Sequence, residues 1–151
     1  MLKTIISDTS CFIVLTNIGE LNLLQKIYGQ VVTTIEVATE YGQALPDWVE
    51  IKNATDKYRQ QILEIQLDEG EASAIALALE TPGCTIILDD NKARKIADRL
   101  GLEITGTLGV IIKAKLRGLI PAVKPYLVKI KNTDFHLADE IEKQVLKEAG
   151  E

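Results

Sequence analysis

Aromatic side chains are scarce in this chain. Phe, Trp and Tyr make up 5% of its 151 residues, against 46% for all hydrophobic types. The core must therefore be aliphatic, built from Ile, Leu, Val and Ala, as layered helix-on-sheet proteins tend to be. Cysteine is nearly absent as well. Cys11 and Cys84 lie in apolar contexts without metal-ligand spacing, so they read as small core residues in a reducing compartment. The only histidine, His136, cannot complete a zinc site with such distant cysteines and offers no catalytic dyad. No apolar run approaches membrane-spanning length, and Asp8 interrupts the short apolar start. A cytoplasmic protein with no signal peptide and no membrane partner is the expectation. Positive charge is also in deficit: 17 basic against 22 acidic residues give −5, which argues against a uniformly basic, nucleic-acid-coating surface. Internal repeats, low-complexity tracts and linkers are missing too, so residues 1–151 are expected to form one domain, long enough to bury a real core.

What the chain does have is a repeated arrangement of strand and acid. Ile5-Ile6-Ser7-Asp8-Thr9-Ser10 opens it, and Ile86-Ile87-Leu88-Asp89-Asp90-Asn91-Lys92 repeats the pattern far downstream. Extended segments are expected at 2–7, 31–33, 49–51, 85–88 and 103–105. Helical periodicity fills the intervals. One helix runs from a Thr9 or Ser10 cap past Phe12, Leu15 and Ile18 to Leu24, and another from Thr34 to Tyr41. Further helices are expected over 56–65, 68–80, 92–100, 108–117, 123–130 and 138–149. Strands alternating with helices imply a three-layer α/β/α domain with a central parallel sheet.

A carboxylate directly after a buried strand stands at the carboxyl edge of the sheet, where open α/β sheets gather ligands. Asp8 is one such group, and it also suits an N-cap or Asx-turn. One of Asp89 and Asp90 can cap the following helix, which leaves the other at the sheet edge within reach of Asp8 if the strands are neighbours. Thr107 repeats the geometry after the next strand with a hydroxyl. Glu36 and Glu40 share a helix face; Glu36 reads as solvated, whereas Glu40 sits at the helix end that disfavours an anion. Asp68 and Glu69 read as capping residues, and Glu71 enters an alanine-rich helix that allows it to point towards the strand ends. Carboxylates gathered at one edge repel each other unless a divalent cation neutralises them, which suggests Mg²⁺ or Mn²⁺. Such a set suits phosphodiester hydrolysis. No cysteine nucleophile or glycine-rich phosphate loop competes, since the glycines of 70–73 and 106–109 lack the required spacing. Lys92, Arg94, Lys95 and Arg99 follow the Asp89-Asp90 pair, either as helix surface or as a phosphate track beside an acidic site. A second basic stretch, free of acids, runs from Lys113 to Lys131.

Ser7-Asp8-Thr9-Ser10, Glu40, Leu67-Asp68-Glu69-Gly70-Glu71-Ala72, Leu88-Asp89-Asp90-Asn91-Lys92-Ala93-Arg94 and Thr105-Gly106-Thr107-Leu108-Gly109 together resemble the PIN-domain ribonucleases. They look most like a prokaryotic group regarded as the toxin half of VapBC-like toxin–antitoxin pairs. The likeness extends over nearly the whole chain, through Gly118-Leu119-Ile120-Pro121 to Ala149-Gly150-Glu151. The resemblance implies a Mg²⁺- or Mn²⁺-dependent endoribonuclease for single-stranded RNA, a homodimer silenced by an antitoxin protein. Carried over by position, Asp8, Glu40, Glu71 and one of Asp89 or Asp90 form its acidic quartet. Asp8, Glu71, Asp89 and Asp90 are the candidate metal ligands, and Thr107 joins the catalytic set. Two departures stand out: the third acid is Glu71 rather than an aspartate, and Leu88 stands where a threonine or serine often precedes the last aspartate.

Two other readings compete. An inactive PIN-like interaction module would keep the fold without the chemistry. A receiver-like phosphorylation switch also gathers acids and a threonine around Mg²⁺, but it needs an acid pair after its first strand, where Asp8 stands alone.

Overall fold

The computed structural model describes residues 3–151. Among them are five strands and nine helices, in the order β1 (Ile5–Ser7), α1 (Thr9–Asn17), α2 (Asn22–Tyr28), β2 (Val31–Thr33), α3 (Ile35–Tyr41), β3 (Val49–Ile51), α4 (Lys57–Glu64), α5 (Glu69–Leu79), β4 (Thr85–Ile87), α6 (Asn91–Arg99), β5 (Glu103–Thr105), α7 (Thr107–Leu116), α8 (Lys124–Lys131) and α9 (Asp139–Glu148). Leu2, expected in the first strand, lies outside the described residues. The sheet is parallel throughout, with strand order β3-β2-β1-β4-β5. A three-layer α/β/α architecture is what the alternating pattern requires.

Each central strand is three residues long and buried on both faces. Consecutive side chains therefore serve opposite layers. Ile5, Val31 and Ile87 enter the core formed with α1, α2, α7, α8 and α9. Ile6, Val32 and Ile86 enter the other core, where Ala72, Ala74, Ile75 and Ala78 of α5 and Ala93 and Ala97 of α6 bring the helices close.

One expected helix is two. The periodicity from Phe12 to Leu24 continues across Gly19, but the backbone does not. Gly19 adopts φ +72°, its N–H donates to Thr16 O (3.0 Å), and Glu20 N–H donates to Leu15 O (2.7 Å). That pair of bonds is a Schellman cap, which needs the left-handed conformation glycine adopts without penalty. The cap at the other end of α1 is Asp8 rather than Thr9 or Ser10, its side chain accepting from Cys11 N.

Strand order decides between topologies. β1 and β4 are neighbours, with chain connections leaving in opposite directions, so the switch point lies between them. A receiver-like sheet has the order 2-1-3-4-5, and this one does not. The phosphorylation-switch reading is therefore set aside. In open parallel sheets the ligand crevice lies outside the carboxyl ends of the strands at the switch point, here directly above Ser7 and Ile87.

Candidate functional site

The residues that follow those two strands are Asp8 and the pair Asp89-Asp90. The β1–β4 register sets Ser7 opposite Ile87, and Asp8 N donates to Ile87 O (3.1 Å) as the ladder ends. Asp8 is buried, at 3% exposure. Its Oδ1 accepts from Cys11 N (3.3 Å) and its Oδ2 from Asp89 N (3.3 Å). The same carboxylate thus caps a helix and joins two strand ends. Despite those two donors, burial and then the neighbouring Asp89 charge push its carboxyl well above the usual range.

Asp89 and Asp90 divide the work that two adjacent acids offer. Asp90 Oδ2 accepts from Ala93 N (2.9 Å) and caps α6. Asp89 is left at the sheet edge, held by three hydrogen bonds from two neighbours. Its Oδ1 accepts from Thr107 N (2.8 Å), and its Oδ2 accepts from the hydroxyls of Ser10 (2.8 Å) and Thr107 (2.5 Å). Thr107 is fully buried at the start of α7. Each carboxylate oxygen has two lone pairs, so Asp89 keeps capacity towards the cavity.

Two glutamates enter from the opposite wall. Glu71 is the third residue of α5 and closes a capping box: Asp68 Oδ1 accepts from Glu71 N (2.8 Å) while Glu71 Oε1 accepts from Asp68 N (3.4 Å). Burial, then Asp68 and Asp90, raise the Glu71 carboxyl to about 7. Glu40, at the end of α3, is exposed, yet burial of part of its side chain and the Asp68 charge raise it too. It reaches the site because Gly70 has no side chain; a Cβ there would lie 2.8 Å from Glu40 Oε2 and 3.3 Å from Thr9 Oγ1. Glu36 is not part of this group, since it accepts from Gln60 Nε2 on α4.

Asp8, Glu40, Glu71, Asp89 and Asp90 line one cavity of about 600 Å³, joined by Asp68 and Asp134 and by no lysine or arginine. Thr107 stands behind Asp89 rather than in the lining. The remaining wall was not anticipated. Thr133, Asp134, Phe135 and His136, between α8 and α9, fold back over the sheet edge. That return is a tertiary contact of a non-periodic segment, and the sequence carries no local signal for it.

A cluster of carboxylate donors with no lysine or arginine in its walls fits a hard divalent ion better than a softer metal. The upward shifts of Asp8 and Glu71 and the buried Thr9 Oγ1, which has no hydrogen-bond partner, agree with that fit. Among the described residues no three His, Cys, Asp or Glu side chains close around a single point. Mg²⁺ accepts such a setting, because it retains several waters and takes only one or two carboxylates. Among the described residues no helix is long and apolar enough to cross a membrane.

Compared with known families, residues 4–151 match the sequence model of the PIN domain, DUF3368. No curated protein matches the chain.

Proposed function

Because the chain belongs to the PIN-domain family, whose members are generally nucleases that typically use divalent metal ions, we propose that it is a Mg²⁺- or Mn²⁺-dependent endoribonuclease acting on single-stranded RNA. The observation that carries this reading is the pairing of Asp8 and Asp89 at the switch point, in a cavity whose lining holds seven acids and no lysine or arginine. Asp8 and Asp89 would hold the ion, with Glu71 and Asp90 facing them from the opposite wall and the capped helix. A bound divalent ion lowers the pKa of a coordinated water and neutralises charge on the phosphate. The protein's own residues supply orientation. Ser10 and Thr107 fix the Asp89 carboxylate by donating to it, and the Cys11 and Asp89 backbone amides do the same for Asp8. Glu71, whose carboxyl burial raises to about 7 in the metal-free protein, is the candidate to take a proton from an attacking water. Bare phosphate is repelled by this cavity, so metal-free protein should not retain the scissile group.

The test is cleavage of a mixed single-stranded RNA with Mg²⁺ or Mn²⁺, comparing the chain with Asp8→Asn. Metal-dependent cutting that falls at least about a hundredfold in the variant supports the reading; cutting that persists in Asp8→Asn would sink it. The toxin role, with an antitoxin as partner, belongs to the same proposal. Growth arrest on expression in cells, relieved by Asp8→Asn, is its check. One observation favours a second reading, that of a non-catalytic interaction module: no three acids converge among the described residues. Calorimetry that detects no Mn²⁺ binding to folded protein would select it.

A further inference from the structure

A second cavity adjoins the acidic one, and its chemistry is different. It measures about 610 Å³ and shares Asp89, Asn91, Phe135 and His136 with the first. Both volumes lie in the range that holds a small-molecule-sized ligand. Beyond the shared wall the lining includes Arg94 and the apolar side chains of Leu108, Ile112 and Ile141. Arg94 is half-buried on α6, and its Nη1 donates to Leu88 O (2.7 Å). That tether fixes the guanidinium beside the carboxylates without pairing it to one. Among the described residues, none of Lys92, Arg94, Lys95 and Arg99 makes an ion pair. Gly106 makes the approach possible, since a Cβ there would lie 2.9 Å from Arg94 Nη1 and 3.0 Å from Asp89 Oδ1. A third groove continues from Arg94 to Lys95.

We propose that a single-stranded polynucleotide passes from the acidic cavity across the Phe135–His136 wall into this second cavity, where Arg94 holds the phosphate next to the scissile one. The proposal rests on the nuclease reading and adds the path of the substrate to it. A guanidinium presents five donors in a planar fork suited to phosphate, and only one is committed to Leu88. Phe135, half-buried against the core, and the exposed His136 line both cavities, and aromatic side chains at such a wall stack bases with little regard to sequence. Leu108, Ile112 and Ile141 offer the next base apolar contacts within a lining that also holds Gln144 and Glu148. A strand spanning both cavities must splay its bases across the wall, which a paired duplex cannot do without unpairing.

Binding, rather than cleavage, tests this. Full-length Glu71→Gln protein, which keeps the Asp8 and Asp89 carboxylates, is titrated at fixed Mg²⁺ against a fluorescein-labelled single-stranded RNA over a range of salt concentrations, alone and combined with Arg94→Gln, Arg94→Lys or Phe135→Leu. Arg94→Gln should weaken binding about tenfold and reduce the slope of log affinity against log salt by about 0.7, the value for one single-strand phosphate contact. Arg94→Lys should keep the slope and recover part of the affinity. Phe135→Leu, which preserves apolar packing, should weaken binding about tenfold with the slope unchanged. If Arg94→Gln unfolds the protein, the other two variants decide. Unchanged affinity in folded Arg94→Lys and Phe135→Leu, equal binding of duplex RNA, or no RNA binding at all by the Glu71→Gln parent with Mg²⁺ present overturns the proposal. RNA binding that depends on Arg94 and Phe135, with no metal-dependent cleavage by the unmodified chain, supports it and overturns the nuclease reading alone.

Discussion

Thr107 sends both its backbone N–H and its hydroxyl to Asp89, so one buried residue orients both carboxylate oxygens. Thr107→Val keeps the shape and removes the hydroxyl. It should cost about 1 kcal/mol of stability and about tenfold in cleavage, with Thr107→Ser restoring most of both; thermal melts and initial rates check this. Glu71 gives a pH prediction. Its folded-state value of about 7 exceeds the ordinary 4.5, so the folded state binds the extra proton between those values. The stability this adds is full below about pH 4.5 and is lost as pH rises through about 7. Metal-free protein should therefore melt at higher temperature as pH falls from about 7.5 to about 5, and Glu71→Gln should flatten that slope while keeping the capping box. A rising slope on alkalinisation in EDTA would contradict it. At this scale the sequence was informative about position and silent about division of labour. Asp8 and the Asp89-Asp90 pair were legible in position because each follows an apolar run, and Thr107 because it follows an expected strand. That Asp90 rather than Asp89 caps α6 rests on the extended backbone at Asp90, which has no sequence signature, whereas the Asp68-x-x-Glu71 spacing does carry the capping-box pattern.

At the level of elements, caps do much of the positioning. Asp8, Thr34, Asp56, Asp68 and Asp90 each accept a backbone N–H at a helix start. Asp68→Ala should destabilise the protein by about 1 kcal/mol and release Glu71, lowering Mn²⁺ affinity as well; calorimetry and melts read the two effects separately. Glu80, just past α5, accepts from Thr55 N (2.9 Å) and Asp56 N (3.0 Å), and these bonds hold its carboxyl below the usual range. It therefore pins the start of α4 to the end of α5. Glu80→Ala should raise hydrogen exchange across 55–64 with little change in the sheet. Nearly every helix and strand was legible from periodicity, and the exception is instructive. The break between α1 and α2 was hidden because the apolar spacing from Phe12 to Leu24 continues through it, while the cap that makes it is a matter of backbone dihedrals at Gly19.

For the whole molecule, strand order was not readable in advance. Parallel strands of three residues carry no pairing code of their own, and β3-β2-β1-β4-β5 emerges only when two helical layers cover the sheet. The wall from Thr133 to His136 was unreadable for the same reason. Both halves of the acidic cavity depend on this global arrangement, so a divalent ion that binds there should stabilise the entire fold. At a concentration a hundred times its dissociation constant it should add about 2.7 kcal/mol and raise Tm by roughly 5–10 °C. A Tm indifferent to Mn²⁺ would argue against the centre.

The pairing of β1 with β4 joins Ile5 to Thr85, and Asp89 then needs Thr107 for its orientation. A ribosome has therefore made more than two thirds of this chain before the two aspartates can be set in place. Until residue 107 has emerged there is no assembled centre, and a prematurely terminated or cleaved N-terminal fragment carries Asp8 without its counterpart. On the ribonuclease reading proposed above, such an order of assembly delays activity until synthesis is well advanced.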